Sequence, residues 1–229
     1  MPNGLNKKQI EFLNLYTKGT WSYNPVTGLV DVEGDFDCSL GGRVEMMAYR
    51  KMMPSGPLED FVGVKFGKVS GNFDCHDNRI ISLKGAPQEV GGSVSCYNNQ
   101  LTSLEGGPQV VVGDFRCFEN NLTSLEGAPQ EVGGDFYCDA FALKKGEWNL
   151  KGWLKLLREG SPEAQKLIST ILSAEALNKE IQKDPAGMAM KLKEVWNDEN
   201  FKETRSKLVW PKGYGDSAEL VGDLDDVGF

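Results

Sequence analysis

A 21-residue repeat is the sequence feature that most limits how this chain can fold. Between Val69 and Cys138 the same phrase recurs, and cysteine, proline and aliphatic residues each return at a step of 21 residues. These residues are Cys75, Cys96, Cys117 and Cys138, then Pro87, Pro108 and Pro129, then Ile80, Leu101 and Leu122. A unit this short cannot bury its apolar side chains alone, so neighbouring units must stack. The period therefore predicts a solenoid.

Each repeat matches the template Leu-x-x-Leu-x-Leu-x-x-Asn-x-Leu. The fourth position is filled by Phe73, Val94, Phe115 and Phe136, the sixth by the cysteines, and the ninth by Asn78, Asn99 and Asn120. Apolar residues at alternate positions predict a short strand with one buried side. A buried asparagine can hydrogen-bond the backbone where the chain leaves the strand, and paired glycines permit the turn into the next strand. We expect a short leucine-rich-repeat-like β-solenoid over residues 34–146.

The cysteines favour a reducing compartment. All five, with Cys38 included, occupy the same position of the repeat. An odd number at that spacing fits neither a disulfide framework nor a metal site, whereas a buried free cysteine packs as a small apolar residue. We therefore expect a ladder of free thiols in the core, a cytoplasmic location, and no cofactor.

The segments around the repeat place the chain in the α+β class. Residues 5–18 have helical spacing that ends at Gly19, and residues 21–32 predict a hairpin, so residues 1–33 are expected to cap the array. The step from Cys38 to Cys75 is longer than 21 residues, and the Met-rich residues within 39–57 predict a helical insertion. Further helices are expected over 149–159, 161–172, 174–183, 185–196 and 201–209, in an α-helical domain over 147–211 that precedes an acidic tail over 212–229.

The charge distribution argues against nucleic-acid binding. The formal net charge is −8, of which −7 falls within residues 1–140. A nucleic-acid-binding repeat face usually carries a basic patch. The chain also has no run of 18 apolar residues and no apolar stretch near its first residue, so neither a membrane span nor a secretory signal is expected.

The outward positions of the strands are where a partner is expected to bind. The third, fifth, seventh and eighth positions of each repeat should form the concave face of the solenoid, where acids and an aromatic series combine. Aromatic residues and arginine are typical of interface centres. The candidate partner-binding residues are Asp74, His76, Tyr97, Arg116, Phe118 and Tyr137, together with Tyr49 and Arg50 on the insertion. A neutral surface, or one covered by the inserted helix, is the alternative.

No catalytic pattern accompanies these residues. His76 is the single histidine of the chain, and neither a nucleophile elbow nor a phosphate-binding loop is present. His76 and the acids beside it could bind a divalent metal, but a lone histidine on a repeat face is far more often a plain surface residue, so no metal site is expected. We therefore expect no enzyme activity.

The repeats resemble those of leucine-rich-like repeat proteins that are common in tailed bacteriophages and some bacteria. The resemblance rests on the phrase L-T-S-L-E-G-A-P-Q-E-V-G-G-D-F-Y-C and on an N-terminal pattern of Trp21, Asn24 and Gly28-Leu29-Val30-Asp31-Val32 that is similar to the cap preceding such repeats. It covers residues 5–140. It implies a phage-encoded protein-binding module that inhibits or remodels a host protein, with defence proteins among the candidates, and so acts in host takeover.

Two other functions stay open. The solenoid could serve as a spacer in the virion or its assembly, with the helical region as an anchor. Alternatively, its acidic half could mimic DNA and occupy a nucleic-acid site on an enzyme, although Arg116, Tyr97 and Phe118 interrupt the acids.

Overall fold

The computed structural model describes residues 4–39, 56–193 and 195–211. The chain divides into two compact units, Met1–Trp148 and Asn149–Phe229. Most of the predicted insertion over 39–57 and the whole tail over 212–229 lie outside the described residues. Within the described ranges, no helix is long and apolar enough to span a membrane.

The first unit begins with a helix and a hairpin, as predicted. Helix α1 (Lys7–Tyr16) starts at Asn6, whose side chain accepts a hydrogen bond from the Gln9 amide in a capping box. Strand β1 (Thr17–Asn24) then pairs antiparallel with β2 (Leu29–Asp37) along its whole length. The predicted end of the helix at Gly19 is wrong, because the chain is extended from Thr17 onward.

Gly19 has a different role from the predicted helix stop. It lies opposite Gly34 in the hairpin, and a Cβ atom added to either glycine would meet the backbone of the facing strand. Both residues have a positive φ, 148° and 121°. The two strands can therefore approach closely at this point only because glycine occupies both positions.

A β-solenoid of about four turns follows, which confirms the predicted solenoid. Its strands are β3 (Gly56–Pro57), β4 (Lys65–Val69), β5 (Phe73–Asp74), β6 (Ile80–Ser82), β7 (Glu89–Val90), β8 (Val94–Ser95), β9 (Val110–Val111), β10 (Phe115–Arg116), β11 (Glu131–Val132), β12 (Phe136–Cys138) and β13 (Phe141–Leu143). A five-residue helix, α2 (Leu58–Val62), lies between β3 and β4. Strands β3 and β6 form a separate parallel pair.

Each full turn contributes one strand to each of two parallel ladders. The first ladder runs β2-β4-β7-β9-β11 and the second runs β2-β5-β8-β10-β12. Strand β2 belongs to both, because its first half pairs with β4 and its last residues pair with β5. The hairpin therefore aligns both ladders at the start of the array.

The interior of the second ladder consists of stacked phenylalanines and cysteines. Phe36, Phe73, Phe115 and Phe136 are at most 1% exposed, and all five cysteines are buried and free. Burial raises the pKa of each thiol, to about 12 at Cys96. The predicted ladder of free thiols is confirmed.

The repeated asparagines stabilise the chain where it leaves each strand. The Asn99 side-chain amide donates to the carbonyls of Cys75 and Cys96, at 3.0 and 3.1 Å, while its oxygen accepts from the Ile80 amide at 3.0 Å. Asn120 repeats this pattern one turn later with Cys96, Cys117 and Leu101. These bonds satisfy backbone groups that strand pairing leaves unused, as the repeat predicted.

The array ends in a hairpin that the sequence pattern did not predict. Phe141 stands where the asparagine of the next turn was expected, and β13 pairs antiparallel with β12. Trp148 stacks on Phe136 with ring centroids 3.9 Å apart, and its indole N–H donates to the Pro129 carbonyl at 2.8 Å. Residues at the end of the repeat region therefore close the second ladder.

The second unit is helical, as predicted. Its helices are α3 (Leu150–Glu159), α4 (Pro162–Ile171), α5 (Ala174–Lys183), α6 (Pro185–Lys193), a 3-10 turn (Glu199–Phe201) and α7 (Lys202–Arg205). Asn149, Ser161 and Ser173 cap the first three of these helices through their side chains.

The last predicted helix, over 201–209, is shorter than expected. It ends at Arg205 because the chain tightens into turns, in which the Leu208 amide donates to the Arg205 carbonyl at 3.2 Å. The Val209 amide then donates to the side-chain oxygen of Asn178 at 2.7 Å, so it takes no part in a helix.

Candidate functional site

The outward side of the second ladder carries the candidate site. Residues of the fifth repeat position lie next to one another because the strands pair in parallel and in register. This row is Asp37, Asp74, Ser95, Arg116 and Tyr137. With neighbouring strands about 4.8 Å apart, the row extends over about 20 Å. The structure thus brings the predicted residues Asp74, Arg116 and Tyr137 onto one face.

Three further predicted residues form a continuous stack of rings. The rings of His76 and Tyr97 lie 4.3 Å apart with 14° between their planes, and those of Tyr97 and Phe118 lie 4.6 Å apart with 9°. These distances follow from the strand spacing, since each residue occupies the seventh position of its repeat. All three side chains are partly exposed. We call this set the aromatic stack.

His76 is held at the end of the aromatic stack by carboxylates. Its Nδ1 atom contacts Asp74 Oδ1, and its Nε2 atom lies 3.8 Å from Asp77 Oδ2. Partial burial acts to lower the pKa of His76, but the hydrogen bond that its ring donates to Asp74 and the charges of Asp74, Asp77 and Asp37 outweigh it, so the pKa is raised. Protonated His76 therefore carries charge beside a stacked aromatic surface.

Tyr137 lies between two cations at the other end of the face. The Arg116 guanidinium is 5.9 Å and the Lys144 ammonium 5.4 Å from the centroid of its ring. Its hydroxyl donates to Asp135 Oδ2 at 2.6 Å. Hydrogen bonds from Tyr137, Lys144 and the Lys145 amide lower the pKa of Asp135 to about 2. Lys144 was not among the predicted site residues, because it lies after the last recognisable repeat.

The acids of the third repeat position are tied to the backbone. The side chain of each of the first four residues in this row accepts a hydrogen bond from the backbone amide of the equivalent residue one turn later, at 2.7–3.0 Å. The row is Asp35, Asn72, Ser93, Asp114 and Asp135, and the last member accepts from the Lys145 amide at 2.7 Å. The third position was expected to serve recognition, and these bonds give it a structural role as well.

The eighth repeat position is not an outward strand position, which corrects the sequence-based prediction. Asp77, Asn98 and Glu119 have φ values of 57°, 50° and 52°, in the left-handed region. The chain turns out of the strand here, ahead of the buried asparagine. Asparagine and aspartate tolerate this conformation better than most residues. Their presence at this position of the repeat is therefore a sequence signal for the turn.

A depression opens where the outward row has its smallest side chains. It has a volume of about 280 Å³. Its walls are Lys18, Asp35, Phe36, Asp37, Asn72, Asp74, Ser93, Ser95 and Arg116. Ser93 and Ser95 belong to one repeat, and larger or charged residues flank Ser95 in the row. We call this feature the serine depression. Its cause, the small Ser95 among larger or charged residues of the fifth-position row, is visible in the sequence, but the depression itself was not predicted.

Two candidates, Tyr49 and Arg50 of the insertion, lie outside the described residues. Across residues 4–39, 56–193 and 195–211, no group of three or more histidine, cysteine, aspartate or glutamate side chains is arranged to hold a metal ion. Comparisons with protein-family models, with curated proteins and with solved structures find no match to this chain.

Proposed function

We propose that the chain is a non-enzymatic protein-binding module that uses the outward side of the second ladder. The aromatic stack carries the proposal. Strand positions that serve only solubility are usually occupied by small polar or charged residues. Here three flat rings lie together, partly exposed, beside Arg116 and Tyr137. Such a combination is enriched at the centres of protein interfaces.

The rigidity of the stack supports binding. Each ring residue lies two positions after a short strand that is paired on both sides, and His76 is further held by Asp74. A preorganised surface loses little conformational entropy when a partner binds. The candidates Asp74, His76, Tyr97, Arg116, Phe118 and Tyr137 thus constitute a preformed patch, to which Tyr49 and Arg50 of the insertion would add.

The resemblance to phage-type leucine-rich-like repeats suggests the kind of partner. We infer a host protein, whose surface is blocked or whose assembly is prevented by steric occlusion in the host cytoplasm. In this proposal the N-terminal helix and hairpin act as a cap, since β1 covers the free edge of β2 that would otherwise be open to other chains. The DNA-mimic alternative is disfavoured because Arg116 and the rings of Tyr97 and Phe118 interrupt the acids of the outward side.

An affinity capture from host lysate tests the proposal. The variant Tyr97→Ala/Phe118→Ala removes two rings of the aromatic stack, and we expect it to lower capture of the specific partner by about a hundredfold. The matched control is Ile81→Ala/Val112→Ala, which removes apolar side chains that are 44% and 62% exposed elsewhere on the solenoid. Equal capture by both variants, with unchanged thermal unfolding, would contradict the proposal.

The virion alternative has its own observable. A structural role predicts that the protein is present in purified particles at a fixed copy number. Recovery of the chain in free complexes with a host protein, and its absence from particles, is the result we expect.

A further inference from the structure

We propose that the serine depression receives one basic side chain, arginine or lysine, from the protein partner. This inference rests on the proposed function and specifies the chemistry that the partner must bring. The depression adjoins the aromatic stack, because Ser95 precedes Tyr97 by two residues on the same outward side. A segment lying across the stack can therefore place one side chain into it.

The size of the depression suits a single side chain. Its volume of about 280 Å³ falls just below the range of pockets for drug-sized ligands, which begins at roughly 300 Å³. The Ser95 side chain is the smallest of the fifth-position row, and Asp74 and Arg116 stand on the adjacent strands. A partner side chain would fill the space that a larger residue at 95 would occupy.

The charge of the walls favours a cation. Both cations of the lining are already paired, Lys18 with Asp37 at 3.0 Å and Arg116 with Asp114. Asp35 and Asp74 also line the depression. Among the described residues, Asp35 accepts hydrogen bonds only from the uncharged backbone and side-chain amides of Asn72, at 2.7 and 3.2 Å. Asp74 is paired with His76, whereas Asp35 has no ion-pair partner in the described chain. The lining, with three acids and two bases, therefore keeps an excess of negative charge.

Hydrogen-bonding groups of the walls remain available. Asp74 uses its Oδ1 atom for the His76 amide and ring, and its Oδ2 atom has no hydrogen-bond partner among the described residues. The Ser95 hydroxyl likewise makes no hydrogen bond within that part of the chain. A guanidinium or ammonium group can donate to both oxygens, and a hydrogen bond to a carboxylate from a cation is among the stronger ones.

Capped amino acids test this inference on the full chain without the partner. The probe is N-acetyl-arginine amide, followed through the backbone amide resonances of the ¹⁵N-labelled protein. We expect shifts at Asp74, Ser95 and Arg116, with a dissociation constant on the order of a millimolar for a ligand this small. The norleucine and glutamate counterparts, which lack a cation, should produce no shifts at these residues.

Two variants locate the binding. Asp74→Asn keeps the shape but removes the charge, and we expect it to weaken arginine-amide binding about tenfold. Ser95→Leu fills the depression and should abolish binding. The control Glu131→Gln, an exposed acid on the first ladder, should leave binding unchanged. Thermal unfolding of each variant verifies that the fold is retained.

Three results with the small probes would overturn the inference, and a fourth comes from partner capture. One is the absence of shifts with arginine amide, and another is equal shifts with norleucine amide. The third is tighter binding of free glycine than of the capped probe, which would identify a site for free amino acids. If partner capture is lost in Tyr97→Ala/Phe118→Ala but retained in Asp74→Asn and Ser95→Leu, the interaction surface stands and the basic side chain is rejected.

Discussion

Phe115 and Phe118 lie three residues apart in the same repeat and have opposite surroundings. Phe115 points into the solenoid and is completely buried, stacked on Phe136 at 5.3 Å. Phe118 lies on the outward side, partly exposed, and stacks on Tyr97. The inward position recurs as an apolar residue in every turn, whereas the outward position changes from His76 to Tyr97 to Phe118 and then to Asp139. The comparison separates residues that hold the fold from residues that vary from turn to turn, which we propose contact a partner.

Truncating each ring separately tests this difference most directly. Phe115→Ala should lower the free energy of unfolding by about 3–5 kcal/mol, because it removes a large buried side chain and leaves a cavity. Phe118→Ala should lower it by only about 1 kcal/mol, the loss of one partly exposed aromatic contact. Denaturant unfolding measures both values, and similar losses would show that the outward ring also holds the fold.

A second test concerns the buried asparagines. Asn99→Ala removes the donor to two cysteine carbonyls and the acceptor for the Ile80 amide. We expect a loss of about 2–3 kcal/mol, because buried backbone groups are left without partners. The outward control Ser95→Ala, in the same repeat, should change stability by less than about 0.5 kcal/mol. A loss of stability for Asn99→Ala no larger than that of the control would show that the asparagine does not stabilise the fold through these hydrogen bonds.

The smallest expected effect is the pH dependence of His76. Its pKa in the folded state is raised above the ordinary value of 6.5. Protonated His76 therefore stabilises the fold, and this contribution is complete below pH 6.5 and is lost as the pH rises through the folded-state pKa. Its size should be below about 1 kcal/mol, as for other partly exposed ion pairs.

The measurement compares unfolding of the natural chain and of His76→Gln at several pH values. The difference in free energy between the two should be larger below pH 6.5 and should shrink toward alkaline pH. A difference that does not vary with pH would show that His76 contributes by ring stacking alone.

Much of this architecture could be predicted because the residues that repeat in the sequence are those that contact each other in neighbouring turns. The inward series of phenylalanine and cysteine, the buried asparagines and the 21-residue step each correspond to a contact between equivalent positions of neighbouring turns. The rows of the candidate site followed from the same register, so Asp74, His76, Tyr97, Arg116, Phe118 and Tyr137 were grouped correctly on one side.

The unpredicted features arise where contacts are not repeated. Phe141 replaces an asparagine, so the pattern predicted only an imperfect turn. The antiparallel pairing of β13 with β12 was not predicted, because it is made by backbone groups that every sequence shares. The structural role of Asp35 and Asp114 was not predicted either. An aspartate that accepts a hydrogen bond from the backbone of the next turn cannot be told in the sequence from one that faces solvent.

The shared step of every row has a consequence for how such a surface can grow. A duplicated copy of 21 residues, inserted between two turns, would add one strand to each ladder and preserve all the pairings beside it. It would widen the outward face by about 4.8 Å and leave the hairpins at both ends of the array unchanged. Gene duplication or protein design can therefore enlarge the outward face in fixed increments, with one new residue in each outward row for every copy.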